Sequence, residues 1–356
     1  MLVFFGQKSY KHMLKVYTNT SLLTEENRSY VFPLLFDLHF TQNKYLSDIY
    51  VIVEDANSAD IFISPLEYTY ALKFYKREVI DIHNKAKSLK KNLWVYSGGD
   101  FGFSLKDKTI YNFRLSGFHS KLNERTIIMP SFINDPYKAH LNSSFKTLDK
   151  VDSPKIGFVG HANTGAKKYF KELLSYIKSN VKRILFKEKK DYQSFYPSSI
   201  KRASYLNALS KSKALKSNFI LRKSYRAGVR TAKEKLLTTN EFYNNLYTNP
   251  YTFCLRGAGN FSVRFYETLA VGRIPILINT DCRLPLSGVI DWNQHSLIID
   301  ESEDDRMVEK IIEFHNKLDD KAFTQLQESN RLLWKNYLNR EAFFKVVHDS
   351  FKNKLK

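Results

Sequence analysis

No stretch of this chain approaches the ~20 consecutive apolar residues that a bilayer-spanning helix needs. The opening segment MLVFFGQKSYKHMLKVY meets charge too early for a signal peptide. A cytoplasmic protein without a membrane anchor is the expectation. Cysteine is nearly absent too. Cys254 and Cys282 form neither a CxxC pair nor a metal-type spacing, which excludes a zinc ribbon and a disulfide scaffold and suits free thiols in a reducing compartment. Acidic residues are scarce, 36 against 56 basic ones, for a formal charge of +20. Such a surface attracts anionic membrane or nucleic acid through its long-range field. No RRM, KH, zinc-finger or helix-turn-helix pattern accompanies the charge, so nucleic acid is not an expected partner and a basic nucleic-acid-binding protein is the weaker alternative. Peripheral contact with an anionic membrane and a merely solvated lysine-rich surface both account for it. The basic residues are densest between Lys182 and Lys235.

Hydrophobic residues make up 43% of the chain, with 27 Phe and 22 Tyr, so a sizeable core can form and wholesale disorder is excluded. Short apolar runs alternate with helical periods. Ala59–Pro65, Asn92–Tyr96 and Arg125–Pro130 read as strands, with a helix from about Thr69 to Leu89. A polar, aperiodic stretch from Ala139 to Pro154 suits a linker, and Lys155–Gly160 then opens a second strand–helix succession, its helix spanning Ala166–Ser179. After Ile299 the chain reads as helices over Asp304–Lys317, Asp320–Leu333 and Arg340–Lys352. Strands alternating with helices imply parallel sheets and an α/β class. The expected domains are 1–150, 151–335 and a C-terminal helix, 336–356, that packs back on the first.

One segment carries most of the chemistry. Tyr251–Leu255 and Ile274–Ile278 are apolar runs of the buried parallel-strand kind. Between them Ser262 is an N-cap candidate, Phe261 and Tyr266 suit a hydrophobic staple, and Gly272 suits a helix end. A strand–turn–helix unit of this kind aims backbone N–H groups and a helix N-terminus at the carboxyl end of a sheet, where phosphates bind. Arg256 and Arg264 add planar cations for a diphosphate, and Glu267, one turn after Arg264, can accept from a ribose diol.

Arg256-Gly257, Ser262, Arg264, Glu267, Leu269, Gly272, Ile274-Pro275, Leu284-Pro285 and Ile290-Asp291-Trp292 follow one another in this order. The series resembles the nucleotide-sugar half of the exostosin-type, GT47-like glycosyltransferases, strongly over residues 218–300 and thinly elsewhere. Family members in animals carry a membrane anchor, so the chain is similar to a bacterial type without one. The resemblance implies a GT-B-like fold of two Rossmann-like domains facing a central cleft, and an inverting transfer from a nucleotide sugar, UDP-linked by analogy. The acceptor implied is a surface polysaccharide or a lipid-linked oligosaccharide. It puts Arg226, Arg256, Gly257, Gly259, Asn260, Ser262, Arg264 and Glu267 on the donor. Many retaining GT-B enzymes have a second carboxylate eight positions before the one at Glu267, where this chain has Gly259. Inversion needs a general base. Asp100, ending a strand in Gly98-Gly99-Asp100, is the candidate, with His119 and Glu67 as rivals. The family tends to have Asp-His there, whereas Phe101 follows Asp100 here. No Asp-x-Asp pair stands beside the donor segment, and Asp304-Asp305 reads as an acidic first helical turn, so neither metal nor cofactor is expected. A non-catalytic nucleotide-sugar-binding or scaffolding subunit is the alternative.

Overall fold

The computed structural model describes residues 13–185 and 190–355, without the side chains of Tyr225, Arg226, Lys354 and Leu355. Expectations drawn from the first residues of the chain, from the basic residues at 187–189 and from the Arg226 side chain fall outside it. By contact the chain divides into two compact units. One holds the described residues up to Gly98, Leu105–Phe113 and 340–355; the other holds Gly99–Ser104 and Arg114–Asn339.

In the first unit β1 (Leu14–Tyr17), β2 (Tyr50–Val53), β3 (Ile61–Glu67), β4 (Asn92–Ser97) and β5 (Ile110–Arg114) stand in the order β2-β1-β3-β4-β5. The pairs β1–β2, β1–β3 and β3–β4 are parallel. Four helices intervene: α1 (Pro33–His39), α2 (Lys44–Ser47), α3 (Tyr68–Phe74) and α4 (Lys76–Ser88). The single helix expected from 69 to 89 is broken at Tyr75 (φ −136°, ψ 42°). Tertiary bonding overrides propensity there, since the hydroxyls of Tyr70 and Tyr75 both donate to Asn27 Oδ1. The C-terminal helix Arg340–Leu355 belongs to this unit: Tyr50 Oη donates to Phe344 O at 2.8 Å, Arg340 pairs with the buried Asp37 at 2.7 Å, and the Phe351 ring lies 4.6 Å from Trp94.

The second unit contains β6 (Thr126–Ile128), β7 (Lys155–His161), β8 (Lys216–Arg222), β9 (Tyr251–Cys254), β10 (Ile274–Asn279) and β11 (Leu297–Asp300). Five of them form a sheet in the order β11-β10-β9-β7-β8, parallel throughout. Its helices are α5 (Ala166–Leu185), α6 (Ser198–Lys211), α7 (Ala232–Thr248), α8 (Val263–Val271), α9 (Met307–Lys317) and α10 (Asp320–Leu333). Tyr251, Phe253, Ile274 and Ile276 are fully buried in one hydrophobic cluster, and Cys254, Leu269 and Leu277 in another. Both cysteines are free thiols. Two parallel sheets flanked by helices are what the α/β, GT-B-like expectation requires.

Two further local expectations differ from the structure. The polar stretch 139–154 is bound into the second unit, because Gln327 bridges the backbone of Leu148 and Arg273 donates to Lys146 O. The helix expected over 166–179 continues to Leu185 and buries none of its residues. Among the described residues, no helix is long and apolar enough to cross a membrane.

Candidate functional site

The site grows out of the crossover between β9 and β10. The fully buried β9 runs into the turn at 256–261, and α8 starts at Ser262, whose extended backbone (φ −128°, ψ 114°) makes it the N-cap although its side chain makes no capping bond. Gly272 ends α8 in the left-handed region at φ 74°, a conformation that favours glycine, with its N–H on Leu269 O. Parallel pairing sets the ends of β7 and β9 side by side, so this turn lies beside Val159, Gly160 and His161.

Close approach fixes two glycines. A Cβ on Gly259 would stand 2.1 Å from the Asp100 carbonyl oxygen, so no side chain, and no second carboxylate, fits there. At Gly160 a Cβ would meet the Arg264 guanidinium at 2.7 Å. That guanidinium crosses to donate from Nη2 to Val159 O at 2.8 Å and lies 4.2 Å from the Phe158 ring centroid. By contrast Gly257 has nothing near its missing Cβ. Gly259→Ala should therefore lose about 1–3 kcal/mol of stability, the usual range for overpacking, while Gly257→Ala stays near neutral. Denaturant unfolding of both variants checks this; equal stabilities would contradict it.

A cleft of about 860 Å³ opens within this unit, lined by Asp100, Arg202, Gly257, Gly259, Ser262, Arg264 and Glu267, among others. Its lining carries four basic side chains, Arg202, Arg222, Lys235 and Arg264, against three acidic ones, Asp100, Glu172 and Glu267, and it is short of partners. Arg202 donates to His161 O (2.8 Å) and Arg256 O (3.0 Å), yet its Nε and that of Arg264 are buried without a hydrogen-bond partner. Burial, and then repulsion from Arg264, push the Arg202 guanidinium down to about 10. Arg264 is lowered too, chiefly by burial. The N-terminal residues of α6, Ser198 and Ser199, line the same cleft, and the Ser199 hydroxyl is buried and unpartnered. Two guanidinium groups and two helix N-termini around one space favour a polyanion. Burial raises the Glu267 carboxyl to about 7, opposed by Arg264.

A family model described as the Exostosin GT47 domain matches residues 10–313. The chain belongs to the exostosin GT47 family. Exostosin-1 of Drosophila melanogaster is 31% identical over 111 residues, which are 31% of this chain and 14% of that protein. The Exostosin-1 homolog of Caenorhabditis elegans is 36% identical over 98 residues, 27% of this chain and 24% of that protein. The aligned segment thus spans under a quarter of either relative's length. Among solved structures, the GtfA/B complex has a TM-score of 0.38 at 12% identity, covering 82% of this chain and 57% of that one. WaaG, a glycosyltransferase involved in lipopolysaccharide biosynthesis, has a TM-score of 0.32 at 10% identity, covering 88% and 80%.

In this GT47 domain the residues singled out from sequence separate into two groups. Asp100, Gly257, Gly259, Ser262, Arg264 and Glu267 share the cleft. Arg256 and Asn260 do not line it. Arg256, expected to project from the strand end into the cleft, is only 3% exposed; its Nη2 donates to Ala258 O and Gln193 Oε1, and its guanidinium sits 4.7 Å from the Tyr196 ring. Asn260 is also buried, with Nδ2 donating to the carbonyls of Gly117, Thr280 and Asp281. Arg256 closes the turn on its own Ala258 carbonyl and Asn260 ties it to the carbonyls of two neighbouring segments, since buried carbonyls need donors. The rival bases are engaged elsewhere. Glu67 caps α3 through Tyr70 N–H at 2.7 Å, and His119 Nδ1 accepts from Arg283 Nε at 3.2 Å. Arg202 and Ser199 were missed by sequence reasoning. Their one local signal is a serine pair opening a helix after Pro197, inside a run of basic residues that resembles ordinary surface charge.

Proposed function

We propose that this GT47 domain moves a sugar, with inversion, from a nucleoside-diphosphate donor, UDP-linked, to a hydroxyl of a surface polysaccharide or lipid-linked oligosaccharide. One observation carries the reading: Arg202 and Arg264, whose buried Nε groups lack a hydrogen-bond partner, line a cleft that also receives the N-termini of α6 and α8. Buried guanidinium without a carboxylate partner is costly unless an anion completes it. In the proposed chemistry the acceptor oxygen attacks the anomeric carbon, the bond from that carbon to the diphosphate oxygen breaks, and the electron pair leaves on the diphosphate. Asp100 takes the acceptor proton. Arg202, Arg264 and the amide of Gly259 take the departing charge. Glu267 accepts from the ribose hydroxyls. With guanidinium groups placed for the leaving charge, transfer without a metal ion is part of the proposal, and Arg256 and Asn260 shape the turn rather than touch the donor.

The two free thiols and the basic surface support a cytoplasmic enzyme held peripherally at an anionic membrane. A non-catalytic nucleotide-sugar-binding subunit shares the same cleft but not the need for Asp100. Thermal unfolding with a panel of nucleoside diphosphates tests the donor assignment. UDP at a hundredfold excess over its Kd should contribute about 2.7 kcal/mol and raise Tm by several degrees. If no nucleoside diphosphate raises Tm at millimolar concentration, the assignment is wrong.

A further inference from the structure

Phe170, Leu174, Ile177, Val181 and Ile184 follow each other four and three residues apart along α5, so they form one stripe on that helix. Each is between 46% and 67% exposed, and Leu185 extends the stripe at 70%. One flank of the stripe touches protein: the rings of Tyr169 and Tyr176 lie 5.5 and 5.4 Å from that of Phe195, and the hydroxyls of Tyr176 and Tyr192 are 2.6 Å apart. The sequence period that elsewhere builds a core here faces outward. At 100° per residue, Lys167, Lys171, Lys178 and Lys182 fall along one border of the stripe. The helix's one acid, Glu172, lies on the far side and pairs with Lys168 at 3.2 Å.

We propose that α5 docks on an anionic lipid bilayer, lying in the plane of the interface. The stripe enters the acyl boundary and the bordering lysines reach the headgroups. Charge selects this occupant over a second copy of the chain. An antiparallel pairing of two such stripes sets the rows of Lys171 and Lys178 against each other, and a parallel pairing offers them Leu173 and Asn180. Neither arrangement supplies an acid. The inference deepens the peripheral-membrane part of the proposed function and is independent of the transfer chemistry.

Co-sedimentation of the full chain with phosphatidylcholine vesicles, with and without about one-third phosphatidylglycerol, tests it, alongside the variants L174Q/I177Q/I184Q and K171E/K178E. The wild type should sediment with the anionic vesicles at least tenfold more than with neutral ones, since each lysine near the surface contributes on the order of fivefold. The apolar variant should lose binding to both, and the charge variant should lose the anionic preference. All the substituted positions are off the core, so the thermal unfolding of the variants should match the wild type. Wild type that stays in the supernatant, or variants that sediment like it, overturn the proposal. So does a wild-type dimer on size exclusion that the apolar variant dissociates, which would make this face an interface between copies. UDP stabilisation, measured on the same samples, reports the donor site separately, so the two readings fail independently.

Discussion

Glu267→Ala should weaken binding of a UDP-linked donor by about two to four orders of magnitude, because two hydrogen bonds to a charged acceptor contribute ~1.5–3 kcal/mol each. Calorimetric titration with UDP measures it, and 2′-deoxyuridine diphosphate separates the causes. If Glu267 grips the ribose diol, wild type should bind the deoxy compound more weakly than UDP, while Glu267→Ala should bind both alike. A variant that still distinguishes them would remove Glu267 from the pentose. The pH dependence has a definite sign. The Glu267 carboxyl is raised to about 7 by burial, and only its ionised form is a pure acceptor. Donor affinity should therefore rise between pH 6 and 8 and level off once the proton has left. The stability contribution of the raised group runs the opposite way. It is complete below the ordinary glutamate value and is lost as pH climbs through about 7. Glu267→Gln should flatten both profiles.

Asp100→Ala should leave UDP affinity unchanged and lower kcat by about 10²–10⁴-fold, the range for losing a positioned general base. The separation of effects follows from the geometry. Asp100 lines the cleft, whereas the contacts that build the turn are made by its backbone oxygen, which packs against Gly259 and accepts from Ser116 Oγ at 2.5 Å. Alanine keeps that oxygen. Radiolabelled sugar transfer and calorimetry on one preparation check the pair of values. A loss in kcat below tenfold would take the base role from Asp100, and a matching loss of UDP affinity would mean that it shapes the site instead.

Legibility in the sequence followed the range of the interactions. The unit from β9 to β10 was readable because its determinants are local: an apolar run, an N-cap at Ser262 and a left-handed Gly272. Arg264 and Glu267 share the cleft because they are one helical turn apart on α8. Arg256 and Asn260 sit in the same short segment and yet turn inward: Arg256 donates to the nearby Ala258 carbonyl and to the Gln193 side chain, and Asn260 to carbonyls of Gly117, Thr280 and Asp281, partners mostly far away in sequence. Nothing adjacent to them could disclose that. Arg202 entered the cleft for the converse reason. It lies well before the motif, and only the neighbouring positions of β7 and β9 bring its helix alongside Arg264. The period of α5 was visible too, but periodicity reports that a helix has two unlike faces and is silent on which of them meets protein.

The amino-acid sequence by itself determined the α/β class, the free thiols, the cationic character and the strand–turn–helix that carries Arg264 and Glu267. These depend on composition and on neighbours a few residues apart. The tertiary structure alone decided which arginines reach the cleft, why position 259 admits no side chain, and which face of α5 is left bare. Those outcomes depend on close packing and hydrogen-bond satisfaction between segments far apart in the chain, and local pattern holds no record of such meetings.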